Sequence, residues 1–110
     1  MNVAEFAEVL EGKLLTGDVG RDNEVVGIYC CDLLSWVMSH AKKGDGWITV
    51  HTHMNVVAVA ALTEVSCIII PEGIEVEEAT VKKAAEQGIP IISTGYCTYC
   101  ICTAAYECGI

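Results

Sequence analysis

The sequence predicts an α/β fold with a mostly parallel sheet of about five strands. Its second half repeats one unit three times, in which a short apolar run is followed by a polar break and a helix-like segment. These runs are too short for helices and rich in Ile and Val, and they lie at residues 47–50, 67–70 and 90–92. A continuous apolar run is typical of a strand covered on both faces, as in parallel sheets. The segments that follow the strands are therefore expected to meet at one edge of the sheet, where ligands bind in such folds.

The first quarter of the chain predicts a helix, a short strand and a loop. Asn2 is a favourable helix N-cap, and Glu5 completes a capping box with it, so a helix is expected from Asn2 to Lys13. A short strand is expected over residues 14–16. Glycines alternate with polar residues over residues 17–23, which predicts an exposed loop.

The next elements are a strand over residues 25–29 and a helix that starts near Asp32. Asp32 is placed to begin or cap this helix, whose leucine, tryptophan and valine side chains form a broad apolar face. A basic last turn followed by Gly44 predicts its end. The chain then turns into the strand over residues 47–50.

Each of the three repeated strands is followed by a predicted helix. The helix over residues 55–62 is apolar nearly all round, which indicates burial between the sheet and a partner. The helix over residues 75–87 has acidic residues first and lysines later, in agreement with the helix dipole, and Gly88 predicts its end. A final helix is expected over residues 98–108.

Length, charge and hydropathy restrict the class of protein. The chain has room for one hydrophobic core, so residues 1–110 are expected to form one domain. Its net charge of −9 disfavours nucleic acids and anionic membranes as partners. Apolar stretches stay below the ~18 residues of a membrane-spanning helix and no signal peptide is evident, so a cytoplasmic location is expected. A hydrophobic content of 53% indicates apolar surface hidden in a partner, which favours a homodimer.

The seven cysteines are expected to be reduced thiols, because an odd number without a secretion signal does not suit a disulfide framework. Cys97, Cys100 and Cys108 recur on about one face of the last predicted helix. They could bind a soft metal or an iron–sulfur cluster, or form a redox pair. The alternative is that they are small buried hydrophobic side chains, since a helix separates Cys97 from Cys108 by about 16 Å.

Three motifs support a resemblance to a known family. They are the G-x-x-x-x-D-L-L-S-x-V-M run over residues 27–38, the P-E-G turn over residues 71–73, and the G-I-P-I-I-S-T-x-Y segment that ends at Tyr96. With these motifs, the chain from about residue 14 onward resembles the DRTGG domain family. The chain departs from the family pattern at residues 51–55, where many members carry a Gly-Asp-Arg type of turn.

This resemblance implies a fold and a general role. The fold is a three-layer α/β arrangement with helices on both faces of the sheet, like the amino-terminal domain of HPr kinase/phosphorylase. The role is that of a regulatory partner to enzyme or ligand-sensing domains, here as a single-domain member. The family has no established catalytic residues, so none are carried over. Kinase activity is not expected either, because the G-x-x-x-x-G-K-[ST] phosphate loop is absent.

The loop after the strand over residues 47–50 is the first candidate for ligand binding. His51 and His53 point the same way on an extended backbone, with Thr52 between them and Asn55 at the start of the next helix. The two imidazoles could bind a metal, or a phosphate or base of a ligand, or they could simply stabilise the turn. The unpaired N–H groups at the start of the following helix make this the best expected anion site.

The other candidate ligand-binding residues also follow predicted strands. Asp32 either caps its helix or contacts a ribose or a magnesium ion, while Tyr96 could stack on a base. The complete set outside the histidine loop is Asp32, Glu72, Gly73, Ser93, Thr94 and Tyr96.

Three functions remain open from the sequence. The first is a non-catalytic, dimeric regulatory or scaffold module that senses a small metabolite such as an adenine nucleotide. The second is a redox or metal-binding protein that uses the C-terminal cysteines. The third is a structural partner subunit of a larger enzyme. No resident cofactor is expected, and a second copy of the chain and an enzyme or signalling protein are the expected partners.

Overall fold

The computed structural model describes residues 1–110, which form five helices and five strands. The helices are α1 (Val3–Val9), α2 (Leu34–His40), α3 (Asn55–Thr63), α4 (Glu78–Glu86) and α5 (Thr98–Glu107). The strands are β1 (Lys13–Leu14), β2 (Gly27–Cys30), β3 (Asp45–Ile48), β4 (Cys67–Ile70) and β5 (Ile91–Ser93). They form one sheet in the order β1-β5-β4-β3-β2, in which β2 to β5 are parallel and β1 is antiparallel to β5. The predicted α/β fold with a mostly parallel sheet is confirmed.

Helices cover both faces of the sheet because its central strands carry apolar side chains on both sides. On one face, Trp47, Ile68 and Ile91 belong to a core shared with α2, α3 and α4. On the other face, Ile69 and Ile92 belong to a core shared with α1 and α5. Successive side chains of a strand point to opposite faces, so an unbroken apolar run requires a layer on each side. The three-layer arrangement implied by the family resemblance is confirmed.

The order of the strands determines which loops become neighbours. The parallel strands β2, β3, β4 and β5 lie side by side in chain order, and α2, α3 and α4 connect them. Strand β1 comes before all of them in the chain but pairs with β5, the last strand in the sequence. The amino-terminal segment therefore contacts the carboxyl end of β5, which sequence periodicity alone does not indicate.

The first helix is shorter than predicted. It ends at Val9 and not at Lys13, because Glu11 adopts a left-handed conformation with φ of 50° and turns the chain back toward the sheet. A side-chain carbon at Gly12 would lie 2.7 Å from the Ser93 carbonyl oxygen, so this close approach requires glycine. The turn leaves Lys13 in β1 beside Ser93 instead of at a helix end.

The predicted strand boundaries are shifted at several places. Strand β4 lies where it was predicted, and residues 17–23 form turns as expected. Strand β1 begins one residue early and ends at Leu14, and β2 begins at Gly27, two residues late. Strand β3 ends at Ile48, two residues early, and β5 ends at Ser93, one residue late. Apolar character continues beyond the end of β3, but the backbone there bonds to Asp32.

Three helix boundaries differ from the prediction as well. Helix α2 begins at Leu34, and its N-cap is Leu33, which makes no side-chain capping bond, so a capping role for Asp32 is wrong. The same helix ends at His40, before the predicted basic turn. Helix α4 begins at Glu78 and not at residue 75. None of the helices combines the length and apolar character needed to cross a membrane.

Candidate functional site

The carboxyl ends of the four parallel strands meet at one edge of the sheet. This edge consists of the segments that follow β2, β3, β4 and β5. Because β1 is antiparallel to β5, its first residue, Lys13, pairs with Ser93 at the same edge. The edge thus contains all ten candidate ligand-binding residues, and hydrogen bonds divide most of them into two groups.

Asp32 organises the first group, which lies after β2 and β3. Its Oδ1 accepts a hydrogen bond from the Thr49 hydroxyl at 2.8 Å and another from the Val50 backbone N–H at 2.9 Å. The His51 Nε2 contacts the Asp32 carbonyl oxygen, and the His51 backbone N–H donates to Thr49 Oγ1 at 3.2 Å. Since a carbonyl oxygen only accepts, Nε2 carries the proton and Nδ1 is the nitrogen left for other contacts. Asp32 is therefore a link between two loops.

The start of helix α3 is not the open anion site that the sequence predicts. The Asn55 N–H donates to His53 Nδ1 at 3.2 Å, and the Val56 N–H donates to the His53 carbonyl oxygen at 3.1 Å. The Val57 N–H donates to the Met54 carbonyl oxygen at 3.0 Å. These donors already have partners within the loop, so an anion would have to displace them. His53 stabilises the turn, which was the alternative interpretation of this residue.

Thr52 connects the same loop to helix α4. Its carbonyl oxygen accepts a hydrogen bond of 2.6 Å from the hydroxyl of Thr80, whose side chain is fully buried. The loop after β3 is thus held on one side by Asp32 and on the other by Thr80. Asp32 is itself exposed, but the Thr49 hydroxyl that it accepts from and the Thr80 side chain are both buried, so the backbone that carries His51 and His53 is anchored at two points.

Thr94 organises the second group, which lies after β4 and β5. Its hydroxyl donates to the Leu10 carbonyl oxygen at 2.6 Å and accepts from the Tyr96 N–H at 3.1 Å. Its carbonyl oxygen accepts from the Gly73 N–H at 2.9 Å, and the Glu72 N–H donates to the Tyr96 carbonyl oxygen at 2.9 Å. Thr94 is buried, so it joins three segments and is not available to a ligand.

The hydroxyl of Tyr96 faces the turn that follows α1. It donates to Glu11 Oε2 at 2.7 Å, and this hydrogen bond raises the pKa of Tyr96 above its ordinary value. Glu11 is the residue with the left-handed conformation that ends α1. The contact therefore connects the strained turn to the loop after β5.

A surface depression of about 490 Å³ lies beside Ser93. Besides Ser93, its lining contains Gly73, Lys13, Glu75 and Glu78, together with the apolar side chains of Leu15, Ile74, Val76 and Val81. Its volume falls within the ~300–1,000 Å³ of ordinary small-molecule sites. The depression brings two candidate residues, Gly73 and Ser93, together with a cation.

Lys13 is the functional candidate that sequence reasoning missed. The capping box led to a helix that continued through Lys13, which would have placed the lysine on a helix end far from any strand terminus. Only the antiparallel pairing of β1 with β5 brings it to Ser93. Lys13 takes part in none of the ion pairs of the chain, so its ammonium group is free to meet an anion. The available sequence signal was Gly12, a residue that disfavours helix continuation.

The loop after β5 also carries a pair of cysteines. Cys97 is the N-cap of α5, where its sulfur accepts from the Cys100 backbone N–H at 3.5 Å. The two sulfur atoms are 3.4 Å apart. Cys108 is the C-cap at the other end of the helix and makes no sulfur contact with this pair. No group of three or more His, Cys, Asp or Glu side chains is placed to hold a metal ion.

The two thiols of this pair have unequal acidity. The pKa of Cys97 is lowered, first by the Cys100 N–H and then by the Cys100 thiol, both of which donate to its thiolate. The pKa of Cys100 is raised by the same bond to Cys97. All seven cysteines of the chain are free.

The fold and this edge define a class of protein: a three-layer α/β domain with a polar edge of strand termini. The chain belongs to the DRTGG domain family, whose model matches residues 5–108. No curated protein sequence matches the chain.

A similar solved structure is the regulatory region of an enzyme. It contains the CBS and DRTGG domains of the regulatory region of Clostridium perfringens pyrophosphatase, complexed with the activator diadenosine tetraphosphate. The two share a TM-score of 0.64 and 16% sequence identity, and the match covers 94% of this chain. The chain spans 47%, about half, of the length of that structure. At this identity the likeness establishes the shared fold.

Proposed function

We propose that this chain is a non-catalytic regulatory module that binds an adenine nucleotide at the Lys13–Ser93 depression, defined by Lys13, Gly73, Glu75, Glu78 and Ser93. Membership of the DRTGG family supports the regulatory role. The choice of ligand is supported by the pyrophosphatase regulatory region, whose activator is diadenosine tetraphosphate. The observation that carries the proposal is the pairing of β1 with β5, which places an unpaired lysine beside Ser93 and Gly73.

The chemistry of the depression favours a phosphate accompanied by a metal ion. Lys13 provides a positive charge, and the Ser93 hydroxyl a hydrogen-bond donor, for phosphate oxygens. Glu75 and Glu78 line the same depression and would repel a free polyphosphate. Mg²⁺ is commonly bound by one or two carboxylates together with phosphates of a ligand. The proposed ligand is therefore the magnesium complex of the nucleotide.

A screen by thermal unfolding tests the proposal. The full chain is heated under reducing conditions with ATP, ADP, AMP or diadenosine tetraphosphate, each with and without Mg²⁺. Lys13→Gln should weaken binding by about 10- to 100-fold, because a hydrogen bond to a charged group contributes about 1.5–3 kcal/mol. Lys43→Gln is the matched control, since Lys43 is exposed and lies before β3, away from the carboxyl ends. Equal binding by both variants would reject the Lys13–Ser93 depression.

The histidine loop is the alternative position for the ligand at the same edge. The histidine loop follows β3, which lies two ladder spacings, about 10 Å, from β5, so the loop and the Lys13–Ser93 depression can be tested separately. Replacing both His51 and His53 by Ala should leave nucleotide binding intact if the Lys13–Ser93 depression is the site. Loss of binding in this double variant, with normal binding by Lys13→Gln, would move the site to the loop after β3.

The module is also proposed to self-associate through helix α3. Exposed apolar side chains recur along it at helical spacing and form what we call the α3 stripe, which consists of Met54, Ala58, Ala61 and Leu62. A groove of about 250 Å³ between α3 and α4 includes the first three of these residues. The inner face of α3 packs on the core, whereas the α3 stripe faces solvent. The burial of α3 on both sides that the sequence predicts therefore requires a partner that covers the stripe. Small residues at its centre allow two copies of the helix to approach closely.

The mass in solution tests this interface. The wild-type chain should have about twice its monomer mass of 11.8 kDa at micromolar concentration. Leu62→Glu should shift the mass to the monomer, because it places a charge in the proposed contact. Leu33→Glu is the control, since Leu33 has a similar exposure, 63% against 68% for Leu62, but lies outside the stripe. A monomeric wild-type chain would leave an enzyme or signalling protein as the partner of α3.

A further inference from the structure

A cysteine pair at the start of helix α5 combines proximity with access to solvent. The sulfurs of Cys97 and Cys100 are 3.4 Å apart, Cys100 is exposed and Cys97 is half-buried. A disulfide has a sulfur separation of about 2.05 Å, so the two side chains need to approach by about 1.4 Å. They form a C-x-x-C motif at a helix start, an arrangement in which cysteine pairs cycle between the dithiol and the disulfide.

A second pair in the same molecule provides a comparison. The sulfurs of Cys30 and Cys102 are 3.3 Å apart, which is the same proximity. Cys30 is exposed and Cys102 half-buried, but partial desolvation of the Cys30 sulfur, together with a hydrogen bond to Cys102, raises the pKa of the Cys30 thiol to about 12, so its thiolate is scarce at neutral pH. In contrast, the Cys100 N–H lowers the pKa of Cys97. The distance between the sulfurs therefore does not distinguish the two pairs. They differ in the fraction of thiolate at neutral pH, which is larger for Cys97 than for Cys30.

We propose that Cys97 and Cys100 form a dithiol–disulfide exchange site, which reacts with organic disulfides and is separate from the nucleotide site. Cys97 is the attacking thiolate because it is the N-cap of α5 and accepts the Cys100 N–H. Cys100 is the resolving thiol because it lies within 3.4 Å of the Cys97 sulfur and its thiol is exposed.

The reaction consists of two exchange steps. The Cys97 thiolate attacks one sulfur of an organic disulfide R–S–S–R, forming a mixed disulfide and releasing R–S⁻, which takes a proton from water. Cys100 then loses its proton to water and attacks the Cys97 sulfur, which releases the second R–S⁻. The two protein thiols are oxidised to one disulfide by two electrons, and R–S–S–R is reduced to two R–SH. The reverse sequence regenerates the dithiol.

The surroundings of the pair predict which disulfides react fastest. Cys100 borders a depression of about 590 Å³ that also contains Tyr96, Tyr99 and Glu107. The negative charge of Glu72 lies close enough to Cys97 to offset part of the lowering of the Cys97 pKa that the Cys100 N–H produces. Both carboxylates disfavour anionic reagents, as does the net charge of −9. A cationic or neutral disulfide is therefore the preferred substrate class, and an anionic one such as glutathione disulfide should react more slowly.

Mass spectrometry of the reacting chain tests this proposal. The reduced full chain is mixed at pH 7 with hydroxyethyl disulfide, cystamine or glutathione disulfide. The expected product has lost two hydrogens, and its disulfide maps to Cys97 and Cys100. Cys100→Ser should stop at the mixed disulfide on Cys97, and Cys97→Ser should lower the initial rate at least tenfold. Cys108→Ser is the control, because Cys108 borders the same depression but contacts neither sulfur.

The cationic reagent, cystamine, should react several times faster than glutathione disulfide at low ionic strength, and added salt should reduce the difference. The combined variant Cys30→Ser and Cys102→Ser removes the second pair and should react like the wild type. A disulfide that maps to Cys30 and Cys102, or a Cys97→Ser variant that reacts as fast as the wild type, would overturn the proposal. These outcomes do not depend on nucleotide binding, which is measured separately through Lys13.

Discussion

The carboxylate of Asp32 accepts a hydrogen bond from the hydroxyl of Thr49 at 2.8 Å, and this contact ties the loop after β2 to the loop after β3. The same carboxylate oxygen also accepts the Val50 N–H at 2.9 Å. Asp32 thus occupies the position where a helix cap was expected, but its side chain reaches the neighbouring strand end. The shape of the histidine loop depends on this carboxylate.

Loss of the Asp32 acceptor should destabilise the fold. Asp32→Ala leaves the Thr49 hydroxyl and the Val50 N–H without their partner, and Thr49 is 2% exposed. The expected decrease in the free energy of unfolding is about 1–3 kcal/mol. Asp32→Asn retains an oxygen acceptor and should cost less, and urea denaturation of the two variants measures the difference. Equal stability of Asp32→Ala and the wild type would show that the loops do not depend on this link.

The turn at Gly12 should not tolerate a side chain. A methyl group there would approach the Ser93 carbonyl oxygen to 2.7 Å, which is backbone that cannot easily move. Gly12→Ala should therefore lower the free energy of unfolding by about 1–3 kcal/mol. Gly95→Ala is the matched control, because a Cβ at Gly95 meets nothing within 4 Å. If both variants unfold at the same denaturant concentration, the close contact of β1 with β5 is not present in solution.

Stability should decline at alkaline pH because of Cys67. Burial raises the pKa of its thiol from 9.0 to about 12, so the folded chain keeps this proton when the unfolded chain has lost it. The unfolded state is therefore favoured as pH rises above 9, by about 2 kcal/mol at pH 10.5. The stability that the protonated Cys67 thiol contributes is fully present below pH 9 and is lost as pH approaches 12.

Cys67→Ala isolates this effect, since all other titrating groups are the same in both chains. The variant should be less stable than the wild type at pH 7, where it lacks the packing of the sulfur atom. Its free energy of unfolding should fall less steeply between pH 8 and pH 10.5, as measured by urea denaturation at each pH. Parallel pH profiles would mean that the Cys67 thiol is not confined to the core.

The hydrogen bond between Thr80 of α4 and the histidine loop gives a further prediction. Thr80→Val removes the fully buried hydroxyl that donates to the Thr52 carbonyl oxygen, while it keeps the shape of the side chain. The cost should be about 1–3 kcal/mol, with faster amide exchange in the loop after β3. The hydroxyl of Thr103 is exposed and bonds within its own helix, so Thr103→Val should change stability by less than about 0.5 kcal/mol. Similar losses in both variants would contradict the anchoring role of Thr80.

The elements with the strongest hydrophobic pattern were predictable from the sequence. Strand β4 is buried on both faces throughout, so its apolar run coincides with its hydrogen-bonded ladder. Helix α3 begins at Asn55 as predicted. In contrast, the apolar run of β3 extends to Val50, but Asp32 draws the Val50 N–H out of the ladder. A side chain 18 residues away decides that boundary, and no local pattern contains this information.

In the candidate site, too, some features were predictable from the local sequence and others depend on contacts between distant segments. The sequence indicated which loops would share an edge, because parallel strands place their carboxyl ends together. It did not indicate that Lys13 would join them, because this depends on the pairing of the first strand with the last. It also did not show that Thr94 is buried or that the first N–H groups of α3 have acceptors in their own loop. Both properties follow from contacts between segments that are distant in the chain.

Titration calorimetry of the full chain with the magnesium complexes of ATP and diadenosine tetraphosphate tests the central claim most directly. Saturable binding to the wild type, lost or weakened about 10- to 100-fold in Lys13→Gln and retained in Lys43→Gln, is the result expected for a nucleotide-sensing module. At 100 times the dissociation constant, the same ligand should stabilise the fold by about 2.7 kcal/mol. Absence of binding at millimolar nucleotide with Mg²⁺ present would contradict the claim, and the chain would then act through its protein contacts.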